Sequence, residues 1–370
     1  MRQHLRHVAI GATSIAMAAA LAACGEAGGG DDDKDNDSGG GGGYTIGLLL
    51  PENGTARYES FDRPYIENKI KELCPDCEIK YSNADQDTNS QKQQFDAMLT
   101  EGVDAIILDA VDASATATWV EEADASGVPV VAYDRLAQGP ISGYVSYDNV
   151  RVGELQAQTL LDSLGDEADG ARVVMINGSP TDPNSDDFKR GAHSILDDTV
   201  EIVYEQDIDG WDAALANEKM TGAIESLGRG DDPGFDAVYV ANDGMATGVI
   251  TALHSAGISG VPVSGQDAEV AALQNILAGD QTFTIYKGLR QEAETTAELT
   301  YRLLEGEDIS DLATMTVDSP TDEDIPARLF DPVAVTVDNI DETVIADGYH
   351  SADELCEGDY AAACEEAGIG

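Results

Sequence analysis

Short apolar runs alternate with longer amphipathic stretches along the chain from Tyr44 onward. Each apolar run has the length of a β-strand, and each stretch between two runs has the length of a helix. The runs that predict strands are 45–50, 78–81, 105–108, 128–133, 173–176, 202–206, 237–241, 263–264 and 282–286. The stretches that predict helices include 91–101, 153–164, 213–227 and 245–256.

The strict alternation of predicted strands and helices favours parallel sheets that are covered by helices on both faces. Nine predicted strands are many for one open sheet. Two sheets of about five or six strands suit a chain of 370 residues better. The sequence therefore predicts an α/β fold with two doubly wound parallel sheets.

Polar side chains follow most of the predicted strands, at the point where each strand ends. They are Arg57 after the first strand, Asp134 and Arg135 after 128–133, Asp182 and Asn184 after 173–176, Trp211 after 202–206, Asn242 and Asp243 after 237–241, Asp267 after 263–264 and Lys287 after 282–286. Ligands of open α/β sheets bind beyond the carboxyl ends of the strands. We therefore expect these side chains to face one open cleft, in which Asp134 stays wet.

Nine of these residues, together with Tyr58 beside Arg57, are called the polar ring: Arg57, Tyr58, Asp134, Arg135, Asp182, Asn184, Trp211, Asn242, Asp267 and Lys287. Carboxylates accept hydrogen bonds, guanidinium and ammonium groups donate them, and amides do both. This set suits a ligand with several hydroxyl groups, and Trp211 and Tyr58 could stack on the C–H faces of a sugar. Taken singly, each residue is more simply a helix N-cap or a loop salt bridge, so the prediction depends on their convergence.

Signals for an enzyme or for a bound metal are poor. The sequence has no GxGxxG, GxxxxGK[ST], GxSxG or HExxH motif, and its five histidines have no metal-ligand spacing. We expect a protein that binds a small molecule without a cofactor or metal ion and without turning it over.

The first 23 residues predict a signal peptide, with a basic start and an apolar segment far shorter than the ~20 residues of a membrane span. The segment LAAC at 21–24 resembles a bacterial lipobox, in which the cysteine, here Cys24, is diacylated. An ordinary signal peptide with an incidental cysteine is the alternative. Residues 24–43 are rich in glycine and aspartate and predict a flexible tether.

The chain carries a formal net charge of −51, from 20 basic and 71 acidic residues. Such a chain repels nucleic acid and anionic membranes, so we expect contact with a membrane through the lipid anchor only. The simplest explanation of the charge is a generally acidic proteome, such as that of a salt-tolerant organism.

Four cysteines follow Cys24, in a chain that we expect outside the cytoplasm. Cys74 and Cys77 form one local pair and Cys356 and Cys364 another, and two structural disulfides are the simplest pairing. A redox CxxC site at Cys74 is the alternative, but such a site opens a helix, whereas this one follows a predicted helix.

Several motifs together give the chain a family resemblance. They are VVAYDR, YVSYDNVRVGELQAQTLL, NGSPTDPNSDDF, DIDGW, VYVANDGMATGVI, VSGQDAE, TIYKG and DGYH. On these motifs the chain resembles the sugar-binding lipoproteins of ABC importers in the type I periplasmic-binding-protein superfamily, and D-xylose-binding proteins above all. The resemblance covers about residues 44–350.

The resemblance implies that nine members of the polar ring contact a sugar, and that Tyr58 lies where the family has an aromatic residue, often Trp. Pro183 stands where the family often has Asn. The implied fold has two lobes joined by three crossings: 44–149 with 289–329, and 150–288 with 330–350. A cysteine-bearing tail, 351–370, follows.

The implied function is capture of a monosaccharide, D-xylose first, and its delivery to an ABC permease. The alternatives are binding of another aldose such as glucose, galactose or arabinose, or presentation of the sugar to a chemoreceptor or sensor kinase. A monomer is expected.

Salt should stabilise the mature chain. Cleavage of residues 1–23, which carry Arg2 and Arg6 and no acid, takes the net charge from −51 to −53. Repulsion among surface carboxylates is screened above about 0.1 M salt, where the Debye length is ~10 Å. We expect the melting temperature to rise between low and molar sodium chloride, as calorimetry can measure. A flat or falling melting temperature would show that the acids are already well dispersed.

Overall fold

The computed structural model describes residues 43–55, 57–228 and 233–370. The predicted signal peptide, Cys24 and the tether up to residue 42 lie outside the described residues. Within the described ranges no helix combines the length and the apolar character that crossing a bilayer requires.

Strands and helices alternate through most of the described chain. The strands are β1 (Thr45–Leu50), β2 (Glu78–Asn83), β3 (Ala105–Leu108), β4 (Val130–Tyr133), β5 (Gly143–Tyr147), β6 (Arg172–Asn177), β7 (Glu201–Asp207), β8 (Ala237–Val240), β9 (Thr284–Tyr286), β10 (Met315–Val317), β11 (Ile325–Phe330) and β12 (Val333–Val335). The helices are α1 (Arg63–Leu73), α2 (Thr88–Glu101), α3 (Ala117–Ala125), α4 (Asn149–Leu164), α5 (Pro183–Leu196), α6 (Ala213–Leu227), α7 (Asp243–Ser255), α8 (Val270–Ala278), α9 (Leu289–Glu305), α10 (Ala352–Leu355) and α11 (Ala361–Ala367).

The first sheet has the strand order β10-β11-β5-β4-β3-β1-β2 and is parallel except at β10, which runs antiparallel to β11. Its central strands are buried along their whole length, as β3 shows from Ala105 to Leu108. Helices cover both faces of such a sheet, which explains why these strands are continuous apolar runs. Helix α9 packs on β3, β4 and β5 and also against α1.

The second sheet contains the parallel strands β7-β6-β8. Single bridges from Val238 to Val263 and from Gln266 to Ile285 continue it toward the antiparallel pair β9 and β12. Because β10 and β11 belong to the first sheet and β12 pairs with β9, the described chain passes between the two sets of strands three times. The predicted lobe boundaries stay a prediction.

The C-terminal tail packs on the body of the protein. Helices α10 and α11 contact α8, and Gln274 donates its side-chain N–H to the carbonyl of Leu355 at 3.2 Å. Tyr349 lies 4.4 Å from the ring of Phe61, between ring centroids. The tail is thus joined to α8, and Tyr349 just before it contacts a residue that precedes α1.

The α/β class is confirmed, but the predicted elements were wrong in several details. Strands β5, β10, β11 and β12 were missed, and the predicted strand 263–264 forms only a single bridge. The first sheet has seven strands rather than five or six, and two strand pairs are antiparallel. Strand β10 is short and mostly exposed, so its sequence has no buried apolar run.

The cysteines should be fully oxidised in secreted protein. The structure bonds Cys74 to Cys77 and Cys356 to Cys364, and Cys74 directly follows α1 instead of opening a helix. We expect thiol titration in denaturant to find no free thiol in a chain that lacks residues 1–24, and four after reduction. Two free thiols before reduction would contradict one bridge, and four would contradict both.

Candidate functional site

All ten residues of the polar ring line a single cavity. Its empty space measures about 330 Å³, including the part that opens to solvent. Three further residues, Thr55, Phe188 and Gln266, complete the lining. The structure therefore brings together all ten residues of the polar ring.

Strand ends and helix starts place these side chains. Asp182 is the N-cap of α5 and accepts a hydrogen bond from the N–H of Asn184, and Asn242 caps α7 in the same way through the N–H of Met245. Capping satisfies N–H groups that have no partner within the helix. One side-chain oxygen of Asp182 and one of Asn242 therefore stabilise a helix start. The N-cap interpretation and the cavity interpretation both hold for these two residues.

Three ring residues adopt a left-handed backbone: Asp134 at φ 58°, Trp211 at φ 57° and Asp267 at φ 95°. Such conformations cost of order 1 kcal/mol or more for residues other than glycine, and they collect at functional sites. At Asp134 the cost is offset locally, because the hydroxyls of Tyr144 and Ser146 both donate to its carbonyl.

Arg57 forms the centre of the first charge network. Its Nε donates to Asp62 at 2.9 Å, its Nη1 to Asp134 at 2.5 Å, and its Nη2 faces Glu292 at 3.5 Å. All four side chains are buried. The guanidinium therefore joins the turn before α1, the end of β4 and helix α9.

Arg135 forms the centre of the second network. Its Nε lies 2.8 Å from Oδ2 of Asp182 and 3.5 Å from Oδ1 of Asp109, and its Nη1 donates to the carbonyl of Ala110. Asp134 and Arg135 are adjacent in sequence but form no ion pair with each other. Each instead pairs with a charged group from another element.

Some ring residues follow strands of the first sheet and the others follow strands of the second sheet, and two polar contacts connect these two halves of the ring. Asn184 donates its side-chain N–H to Oδ1 of Asp134 at 2.6 Å, and Arg135 pairs with Asp182. In each contact one residue follows β4 of the first sheet and the other lies at the start of α5, after β6 of the second sheet. Within the second half, Lys287 lies 3.3 Å from Asp267.

Burial and the neighbouring charges together set the pKa values of the carboxyl groups in and behind the ring. Burial alone would raise the pKa of Asp134, but the positive charges of Arg57, Lys287 and Arg135 outweigh it and hold the pKa at about 2. Burial raises the pKa of Asp109 and of Glu292 well above the usual carboxyl range, although each faces a guanidinium. The expectation that Asp134 stays wet was wrong: it is only 4% exposed, because Arg57 and Asn184 cover it.

The aromatic wall of the cavity depends on Trp211 and Phe188. The indole N–H of Trp211 donates to Oδ2 of Asp182 at 3.2 Å, and the ring lies 6.4 Å from Phe188, edge to face. The indole also lies directly over Gly178, where an added Cβ would come within 2.0 Å of it. Only glycine at 178 leaves room for the ring.

Tyr58 lines the cavity but is held by charged neighbours. Its ring lies 5.0 Å from the guanidinium carbon of Arg57, and its hydroxyl accepts a hydrogen bond from Nη2 of Arg135 at 3.4 Å. Burial raises its pKa well above the usual value, so the phenol stays neutral.

The prediction was incomplete at five positions and wrong at one. Phe188 lies four residues after Asn184 on α5, a spacing that puts both on one helix face. Thr55 and Gln266 precede ring residues closely, and Asp109 and Glu292 lie behind the ring. Asp243 was expected at the same edge, but its carboxylate turns to the side chains of Gln281 and Thr284 and does not line the cavity.

The cavity therefore presents charged acceptors, charged donors, amides and an aromatic wall to one small space. Such a set can hold a ligand with several hydroxyls through charge-assisted hydrogen bonds. Among the described residues, no group of three or more His, Cys, Asp or Glu side chains is placed to hold a metal ion.

Comparisons with known proteins agree on one family. A model described as a periplasmic binding protein domain matches residues 46–308. The D-xylose-binding periplasmic protein of Escherichia coli (strain K12) is 33% identical over 317 residues, which cover 84% of this chain and 92% of that protein. The multiple sugar-binding periplasmic receptor ChvE of Rhizobium radiobacter is 30% identical over 331 residues, 84% of this chain and 92% of that protein.

A solved structure gives the same result. The crystal structure of an ABC transporter solute binding protein from Clostridium phytofermentans with bound β-D-glucose superposes with a TM-score of 0.75 at 25% identity. The match covers 84% of this chain and 99% of that one.

Replacement of Asp134 should destabilise the protein, since it leaves the guanidinium of Arg57 without one of its buried partners. We expect Asp134→Ala to lower the free energy of unfolding by roughly 3–5 kcal/mol, the usual cost of breaking a buried ion pair. Denaturant unfolding measures this. The exposed residue Glu121 on α3 offers a control, Glu121→Ala, which should stay within about 0.5 kcal/mol of the wild type.

The pH dependence of that difference follows from the lowered pKa of Asp134. The contribution of Asp134 to the free energy of unfolding is present above about pH 4, the ordinary pKa of an aspartate. It is lost as the pH falls toward the pKa that Asp134 has in the folded protein. The gap between wild type and Asp134→Ala should therefore narrow below about pH 4. Equal stability of Asp134→Ala and Glu121→Ala at neutral pH would remove the structural role from Asp134.

Proposed function

Because the chain belongs to the periplasmic binding protein family and is a sugar-binding protein of the ABC-transporter class, we propose that it captures one monosaccharide in the cavity of the polar ring. The family acts outside the cytoplasm. We propose D-xylose as the preferred sugar and a monomer as the working form.

The observation that carries this proposal is the convergence of ten polar and aromatic side chains on one small cavity. A sugar hydroxyl both donates and accepts, so it can bind a carboxylate and a guanidinium or amide at once. Asp134, Asp182 and Asp267 supply acceptors, while Arg57, Arg135, Lys287, Asn184 and Asn242 supply donors. The indole of Trp211 offers an apolar surface for the C–H face of the ring.

The choice of D-xylose is supported by the relative from Escherichia coli, which is named as a D-xylose-binding protein. The receptor from Rhizobium radiobacter is named for several sugars, and the Clostridium protein holds glucose, so binding of another aldose is the alternative.

Capture would couple to movement of two lobes, built around the two sheets. A sugar that contacts both Asp134 and Asp182 would join the end of β4 to the start of α5, and so favour the closed arrangement. The three passages of the chain between the sheets would form the hinge. The closed form would then present its surface to the permease, while a lipid on Cys24 and the tether keep the protein at the membrane.

Titration calorimetry of a chain without residues 1–24 tests the proposal. Against xylose, arabinose, ribose, glucose and galactose, we expect one bound sugar per chain. Xylose should bind most tightly, with a dissociation constant of roughly 1 μM or below, about −8 kcal/mol. If no sugar in the panel binds, the proposed function is wrong, and if glucose binds most tightly, only the preference for xylose is wrong.

Substitutions at Trp211 and Arg135 locate the site in the same experiment. Trp211→Ala should lose most of the affinity, whereas the exposed control Glu121→Gln should keep it. Arg135→Lys should not restore the affinity that Arg135→Ala loses, because a lysine cannot reproduce the planar fork of the guanidinium.

A further inference from the structure

A second cavity adjoins the polar ring on its outer side. The two cavities share three lining residues, Thr55, Trp211 and Asn242. The outer cavity has about 840 Å³ of empty space, including the part that is open to solvent. A substituent on a ligand in the ring would have to pass these three residues to reach this space.

The outer cavity is acidic. Glu52, Asp85, Asp212 and Glu269 line it, and none of its described lining residues is Lys, Arg or His. Asp212 caps α6 through the N–H of Leu215, so its charge is partly used within the fold. The carboxyl groups of Glu52 and Glu269 have different surroundings from that of Asp212.

Glu52 has a buried oxygen without a donor. Its side chain is 3% exposed, and its Oε2 accepts hydrogen bonds from the N–H groups of Gly54 and Thr55. Its Oε1 is buried and has no hydrogen-bond partner. A buried carboxylate oxygen that lacks a donor is costly, so a donor supplied by a ligand would be bound strongly.

Glu269 brings a second carboxyl group to the same cavity from the other half of the protein. It precedes α8, and its backbone N–H donates to Oδ2 of Asp243 at 3.0 Å, which fixes its position. Burial, together with the negative charges of Asp267 and Glu52, raises its pKa to about 7. The two carboxyl groups thus repel each other across a space that contains no described basic side chain.

A hydroxyl group from a ligand would supply the missing donor but would leave the repulsion between Glu52 and Glu269 in place. An ammonium group supplies three donors and a positive charge together. On this ground, and resting on the function proposed above, we propose that the outer cavity is a subsite for the amino group of an aminodeoxy sugar whose ring occupies the polar ring.

Matched pairs of sugars test this subsite by calorimetry. Glucose is compared with 2-amino-2-deoxyglucose, 6-amino-6-deoxyglucose and N-acetylglucosamine at pH 7 and constant ionic strength. We expect at least one amino sugar to bind roughly tenfold more tightly than glucose, as for a hydrogen bond between charged groups. N-acetylglucosamine has no positive charge and should not bind more tightly than glucose.

The ratio of amino sugar to glucose affinity is the readout for variants, because it cancels any general loss of binding. Glu52→Gln and Glu269→Gln should each reduce the ratio toward one. In Glu52→Gln the amide oxygen can still accept from Gly54 and Thr55, so the loop can keep its shape. The control Glu121→Gln on the exposed face of α3 should keep the full ratio.

The outcomes separate this proposal from the one before it. Binding of glucose without a preference for any amino sugar would overturn the subsite and leave sugar binding intact. An equal gain in glucose affinity from added ammonium chloride would place a free cation in the outer cavity and overturn a sugar-borne amino group. Failure of every neutral and amino sugar to bind would overturn both proposals.

Discussion

The buried guanidinium of Arg57 contacts three carboxyl groups that come from separate parts of the chain: Asp62, Asp134 and Glu292. Arg57 precedes α1, Asp134 follows β4, and Glu292 lies on α9. The guanidinium and the carboxylate of Asp134 could not be buried at acceptable cost without partners, since an unpaired buried charge costs several kcal/mol. The network therefore requires α1, β4 and α9 to be placed together, and it fixes the carboxyl edge of the first sheet.

The same charges would serve both the fold and the ligand. Asp134 takes a hydrogen bond from Asn184 and an ion pair from Arg57, yet its position in the cavity is the one from which it would hold a sugar. Its left-handed backbone, supported by Tyr144 and Ser146, shows that this position is maintained against a local cost. Residues of this kind cannot be optimised for stability alone.

The features that the sequence predicted well are those that depend on the local pattern of apolar and polar residues. The continuous apolar runs predicted β1 and β3 with their bounds, and the rule that ligands bind beyond strand ends predicted nine of the ten ring residues, all but Tyr58. Strand β5 was missed because it is buried with polar groups in it, and the hydroxyls of Tyr144 and Ser146 are satisfied by a carbonyl that only the fold supplies. Asp109 follows β3 and carried the same strand-end signal, whereas Glu292 lies inside α9, where no local rule marks it.

The pairing of β11 with β5 has a consequence for how the chain reaches its final state. Tyr144 pairs with Ala327, so the first sheet cannot be completed until nearly the whole chain has been synthesised. Contacts between residues so distant in sequence form slowly. Until Ala327 has left the ribosome, the edge of β5 that pairs with β11 has no partner strand, and such an unpaired edge is open to wrong pairing with another chain.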